Sequence, residues 1–168
     1  MSELKKRRTT RLQEYDYSTP GAYFLTLCTQ DRRCLLSRIV GTGVPDVPNI
    51  ELLPYGKVAV KYLHQLNDFY EHLSVESYVI MPNHIHILLM IHNNGPSRTP
   101  VPTALQNSTI SRFLSTFKRF CNKECGKNIW QSRSYDHIIR DQADFDRHLK
   151  YIYENPFKWE EDSLYTQP

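Results

Sequence analysis

The segment Met81-Pro82-Asn83-His84-Ile85-His86-Ile87-Leu88-Leu89-Met90 sets two histidines two residues apart in an apolar run, just after a Pro-Asn break. On a strand, side chains two apart share a face. His84 and His86 then stand side by side while Ile85 and Ile87 bury the other face. Two adjacent imidazoles suit a divalent metal whose further ligands arrive from elsewhere in the fold.

The segment Tyr151-Ile152-Tyr153-Glu154-Asn155-Pro156 offers what such a pair lacks. At about 100° per residue, Tyr151 and Asn155 lie about 40° apart on a helix, whereas Tyr153 points about 160° away from Asn155. An amide oxygen can complete a metal site begun by His84 and His86, with the Tyr151 hydroxyl held beside it. A metal that polarises a DNA phosphate oxygen would let the phenolate attack phosphorus. The phosphotyrosyl product keeps the energy of the bond broken, so the cut is reversible. A phenol with an ordinary pKa near 10 needs the ion, or another positive charge, to attack at neutral pH.

These groups need a scaffold. Gly21 to Thr29 reads as a first strand, rich in aromatic and β-favouring residues. Val40 to Leu53 reads as a loop or irregular hairpin. Pro54 opens a helix with Val58, Val60, Leu63, Leu66 and Phe69 as its apolar stripe. Ser74 to Ile80 and His84 to Ile91 are the next strands, and His92 to Thr103 is a polar loop. A second helix starts at Thr109, with Ile110, Phe113, Leu114, Phe117, Phe120 and Cys121 at helical spacing, and stops before Gly126. Ile129 to Ile139 supplies a strand around Trp130. Asp141 caps a last helix with Phe145, Leu149 and Ile152 on its buried stripe, ended near Asn155 by Pro156. The order predicts an α+β, ferredoxin-like βαββαβ sandwich: an antiparallel sheet backed by helices, plus a C-terminal helix carrying the tyrosine.

A chain of 168 residues, 40% hydrophobic and 23% charged, fits one soluble domain. No apolar run is long enough for a membrane helix, and the basic N-terminus has no apolar segment behind it, so the reading is cytoplasmic. Cys28, Cys34, Cys121 and Cys125 lack CxxC spacing and read as reduced thiols. The net charge of +3 hides an uneven distribution. Lys5, Lys6, Arg7, Arg8 and Arg11 form a basic arm, Arg112, Lys118 and Arg119 lie on the second helix, and Glu160, Glu161 and Asp162 fall in the acidic tail. Basic patches interleaved with eleven tyrosines fit phosphate contacts and base stacking.

Taken together, MPNHIHILL at Met81 to Leu89, WQSRSYDHIIRD at Trp130 to Asp141 and YIYENP at Tyr151 to Pro156 resemble the signatures of the IS200-like, REP-associated tyrosine transposases of the HUH endonuclease superfamily. The similarity runs from about Thr19 to Trp159. It implies a basic arm over residues 1–18, a catalytic domain over 19–159 and an acidic tail over 160–168. It further implies a transposase that cleaves single-stranded DNA beside a palindromic hairpin and keeps the 5′ end on a tyrosine, using Mg²⁺ or Mn²⁺. By position, His84 and His86 match the metal histidines, Tyr151 the nucleophile and Asn155 the third ligand, where many insertion-sequence members carry glutamine. IS200 members exchange active-site helices in dimers, while REP-associated members can act alone. The sequence leaves a homodimer and a monomer both open.

Trp130, Gln131, Arg133 and Tyr135 form a run of rings and donors suited to unpaired bases. Arg112, Lys118, Arg119 and the arm Lys5, Lys6, Arg7 and Arg8 are the expected phosphate contacts. His137 reads as structural or phosphate-facing. A histidine-triad hydrolase would need another histidine at position 88, where this chain has Leu88. A non-catalytic hairpin binder on the same scaffold is the remaining alternative.

Overall fold

The structure, a computed structural model, describes residues 15–41, 48–93 and 108–167. The basic arm at Lys5 to Arg11 and most of the 92–103 loop lie outside these residues. Along the chain run β1 (Gly21–Cys28), β2 (Ser37–Gly41), β3 (Pro48–Leu52), α1 (Pro54–Phe69), β4 (Leu73–Ile80), β5 (His84–Ile91), α2 (Thr109–Cys125), β6 (Tyr135–Ile138) and α3 (Gln142–Glu154). A 3-10 segment, Asn155–Glu161, follows α3 directly.

The main sheet has the order β4-β5-β1-β6 with every neighbour antiparallel. This is the ferredoxin-like βαββαβ arrangement, and β2–β3 form a separate two-stranded hairpin between β1 and α1. Gly56 is where α1 meets that insertion, since a Cβ there would lie 2.0 Å from the Leu36 carbonyl oxygen. Only glycine permits so close an approach.

Both faces of the sheet are covered. Ile85, Ile87, Leu89 and Ile91 of β5 join Leu63, Phe113 and Phe117 in the core under α1 and α2. Phe24, Val79 and Leu88 point the other way, onto Ile152 of α3 and Trp159. The strict alternation of β5 therefore divides two cores, and the two histidines fall on the α3 side.

Several local expectations shift. The last strand is Tyr135–Ile138, and Trp130 makes only an isolated bridge to Thr29. On α1 the buried stripe is Gly56, Ala59, Leu63 and Leu66, while Phe69 is exposed. On α3 Ile152 is buried, but Leu149 is exposed. In both cases the partner surface decides which edge of an apolar stripe is covered. The caps fall as expected: the Asp141 side chain accepts from the Asp144 amide, and Gly126 ends α2 at φ 67°. All four cysteines are free. Among the described residues, no helix is long and apolar enough to cross a membrane.

Candidate metal and tyrosine site

A three-residue loop, Met81-Pro82-Asn83, joins β4 to β5, closed by the Met81 amide donating to the His84 carbonyl at 2.9 Å. It is held from outside by Leu36 N donating to Pro82 O and Thr29 N donating to Asn83 O. His84 and His86 follow at once on the strand, both buried, with Nε2 atoms 3.0 Å apart. Adjacent ligand atoms around an octahedral ion with bonds of about 2.1 Å lie about 3 Å apart, so the pair has the spacing a cation requires.

The opposite ring nitrogens are also fixed. His84 Nδ1 lies 2.8 Å from Asn83 Oδ1, and His86 Nδ1 lies 2.8 Å from Thr26 Oγ1. When both Nδ1–H groups donate to these oxygens, both Nε2 lone pairs face the site. Thr26 is there because β1 pairs with β5 in a register that sets it opposite His86, and with β6 so that Tyr135 continues the row. Burial lowers the pKa of His84 to about 4 and pushes that of His86 well below its ordinary value. Both imidazoles are therefore neutral at pH 7 and available as ligands.

From the other side, α3 and its 3-10 continuation bring Tyr151 and Asn155. The Tyr151 ring sits 5.2 Å from that of His86 and 5.9 Å from that of Phe24. Asn155 is buried, and its Oδ1 has no hydrogen-bond partner. An orphaned amide oxygen in the interior is costly unless a ligand satisfies it. Tyr153 is 76% exposed and turned away against Phe157.

Asp162 is the residue that sequence reasoning missed. Its side chain is 1% exposed, and Oδ2 lies 3.9 Å from His84 Nε2. The same oxygen accepts from Asn155 Nδ2 at 2.8 Å and from the Tyr151 hydroxyl at 3.4 Å. His84, His86 and Asp162 thus form a compact group able to hold a cation. In the sequence Asp162 is one of three acids near the end, and nothing in its spacing singles it out. The backbone behind it is anchored, with Asn83 Nδ2 donating to Leu164 O at 2.8 Å and to Thr166 Oγ1 at 2.9 Å. Burial first, then the Asp162 charge, raises the Tyr151 pKa above its usual value.

The group opens on a cleft of about 730 Å³ whose walls include Phe24, Thr26, His86, Tyr135, Tyr151 and Leu164. Arg147, His148 and Lys150 line it as well. Of the expected base contacts, Tyr135 is exposed on this cleft and Arg133 is exposed nearby in sequence. Trp130 lies elsewhere: it is 1% exposed and packs on Phe117 in the core, with no ring face open to a base. Lys118 Nζ donates to the carbonyls of Gln131, Ser132 and Arg133 at 2.9–3.3 Å, so it braces the loop before β6. Arg112 and Arg119 are exposed on α2, and Arg119 lies over the Phe120 ring. His137 is bonded to Asp144 at 2.9 Å and takes no part in the main group.

No family model matches the chain. An uncharacterized protein of Haemophilus influenzae is 29% identical over 177 residues, covering 97% of this chain and 95% of that protein. The REP-associated tyrosine transposase of Escherichia coli K12 is 32% identical over 143 residues, covering 84% of this chain and 70% of that protein. A solved structure of a REP-associated tyrosine transposase bound to a REP hairpin has the same fold, with TM-score 0.59 at 23% identity, covering 88% of this chain and 73% of that one. With a curated relative matched along most of both sequences, the chain belongs to the REP-associated tyrosine transposase family.

Proposed function

We propose that this transposase is a metal-dependent single-stranded DNA endonuclease and strand transferase that cuts beside a palindromic hairpin and holds the 5′ phosphate on Tyr151. The observation that carries the reading is the buried, unpartnered Oδ1 of Asn155 beside Asp162 and the histidine pair. Two imidazoles, an amide oxygen and a carboxylate suit Mg²⁺ or Mn²⁺ in the interior of a protein. His84, His86 and Asn155 would hold the ion, and Asp162 adds a carboxylate that the family resemblance does not supply. The catalytic unit then extends past residue 159 to include Asp162.

The bound ion supplies positive charge that offsets Asp162, favours the phenolate and polarises a phosphate oxygen. The protein's own groups do the rest. Asn83 and Thr26 fix the two imidazoles, and α3 presents the phenol at the mouth of the cleft. Tyr151 attacks phosphorus, the bond to the 3′ oxygen breaks, and that oxygen leaves as a hydroxyl. The phosphotyrosyl link keeps the free energy of the bond broken, so a 3′ hydroxyl can reverse the step and rejoin the strand. A REP hairpin is the ligand of the solved relative, and an equivalent hairpin is the proposed partner here. The exposed side chains of Tyr135, Arg133, Arg112, Arg119 and Lys150 are its proposed contacts, with Gln131 beside them.

Covalent capture tests this. Incubation with a single-stranded hairpin carrying its flanks, in Mn²⁺, should give an SDS-resistant protein–DNA adduct that Tyr151→Phe abolishes. Hairpin binding without any adduct would favour a non-catalytic binder. Independently of activity, Mn²⁺ binding measured by electron paramagnetic resonance should be lost in His84→Ala, while the gel shift with hairpin persists.

A further inference from the structure

We propose that His137, Asp144 and His148 form a second divalent-cation site, of the zinc class, that clamps β6 to the helix bearing Tyr151. The donors come from two elements. His137 lies on β6, Asp144 in the first turn of α3, and His148 one turn further along α3. His137 Nε2 is 2.9 Å from Asp144 Oδ2, and His148 Nδ1 is 3.3 Å from Asp144 Oδ1. All three ligand atoms lie within 4.8 Å of one another. Ligand atoms around a cation with bonds of about 2.0–2.2 Å are separated by about 3–3.6 Å, so the present edges need little adjustment. Two imidazoles with one carboxylate are a donor set for Zn²⁺ and its first-row neighbours.

The surroundings fit a ligand set as well. The Arg140 amide donates to Asp144 Oδ2 at 3.1 Å and holds the carboxylate in place. The two rings stack at 4.7 Å and 23°, so both edges face the same carboxylate. The side chains of His137 and His148 are 35% and 21% exposed, which leaves room for the waters that complete the coordination. Arg147 pairs with Asp144 Oδ1 at 2.9 Å, and His148 Nδ1 donates to the Asp144 carbonyl at 2.8 Å, a proton it would give up to a cation. Arg147, 73% exposed, can turn into solvent when a cation takes its place. The cluster adjoins the His84 group without sharing a donor: the Phe24 ring contacts both, 5.0 Å from His86 and 4.6 Å from His148, and His148 lines the same cleft as His86.

Such a clamp would act through the position of the tyrosine helix. It ties the first two turns of α3 to the sheet edge and fixes His148 against Phe24, on which Tyr151 also rests.

The experiment is metal counting on the full chain. After equilibration with Zn²⁺ and desalting, wild-type protein should retain one equivalent more than either His137→Ala or His148→Ala, with folding checked by circular dichroism. A His84→Asn/His86→Asn variant should still retain that equivalent, and Co²⁺ in its place should give a visible absorption band that His148→Ala removes. Zinc affinity should fall about tenfold or more for loss of either histidine. Equal zinc content in wild type and both cluster variants would overturn the proposal. So would a His84→Asn/His86→Asn variant that folds but retains no zinc.

Discussion

Asn155 donates from Nδ2 to Asp162 Oδ2 at 2.8 Å, joining the end of the tyrosine helix to a carboxylate seven residues further on. This bond orients the amide, since its nitrogen is committed to Asp162 and its oxygen is left for a ligand. Asp162→Asn keeps the size of the side chain but removes the charge. Mn²⁺ affinity should then fall about tenfold or more, and the Tyr151 phenol should ionise at lower pH, because the Asp162 charge raises its pKa. Titration of Mn²⁺ by electron paramagnetic resonance checks the first effect, and NMR of ring-labelled tyrosine the second. Unchanged affinity would remove Asp162 from the ligand set.

The two tyrosines of the helix should separate cleanly. Tyr153→Phe removes a hydroxyl from a ring that is 76% exposed and faces away from the histidines, so adduct yield should stay within about twofold of wild type and stability within about 0.5 kcal/mol. An inactive Tyr153→Phe alongside an active Tyr151→Phe, read on the same denaturing gel, would reverse the assignment of the nucleophile.

The buried histidines predict acid sensitivity of the metal-free protein. The folded-state pKa of His84 is about 4 against an ordinary 6.5, and that of His86 is lowered as well, in both cases mainly by burial. Below pH 6.5 the unfolded chain takes up protons that the native state refuses, so native stability falls as pH drops from 6.5 towards 4. The slope is at most about 1.4 kcal/mol per pH unit for each histidine. Asp144 acts in a different window: its pKa is depressed, chiefly by the bond to His137, so its contribution is lost only below about 3.8. Urea unfolding in EDTA at pH 7, 6 and 5 should show a progressive loss, and a flat profile would contradict it.

Gly56→Ala should destabilise the fold by roughly 1–3 kcal/mol through overpacking. Its methyl would meet the Leu36 carbonyl at 2.0 Å, and that same carbonyl accepts the Leu53 amide at 2.9 Å. Leu36 in turn donates to Pro82 at 3.0 Å, so a shift there reaches the loop that presents His84. Thermal unfolding measures the stability loss, and Mn²⁺ titration should show weaker binding in the same variant.

Much of the site was legible before any fold was built, for reasons of local geometry. A period of two puts His84 and His86 on one face wherever the strand lies, and the helical period puts Tyr151 and Asn155 one turn apart. The apolar runs of β1, β5 and α2 likewise declare themselves, because their patterns report their own burial. Trp130 shows the opposite case. Its ring belongs to the core on Phe117, and no count along the chain separates a buried indole from one offered to a base.

Sequence alone determined the βαββαβ order, the histidine pair and the tyrosine helix, since each follows from patterns within a few residues. Tertiary structure decided that α3 covers the face opposite α1 and α2, that Lys118 braces the 131–133 backbone, and that Asp162 reaches His84. Those outcomes depend on which surfaces meet across the sheet. Asp162 is 78 residues from His84 along the chain, and only the packing of the 3-10 segment against β5 brings them within 3.9 Å.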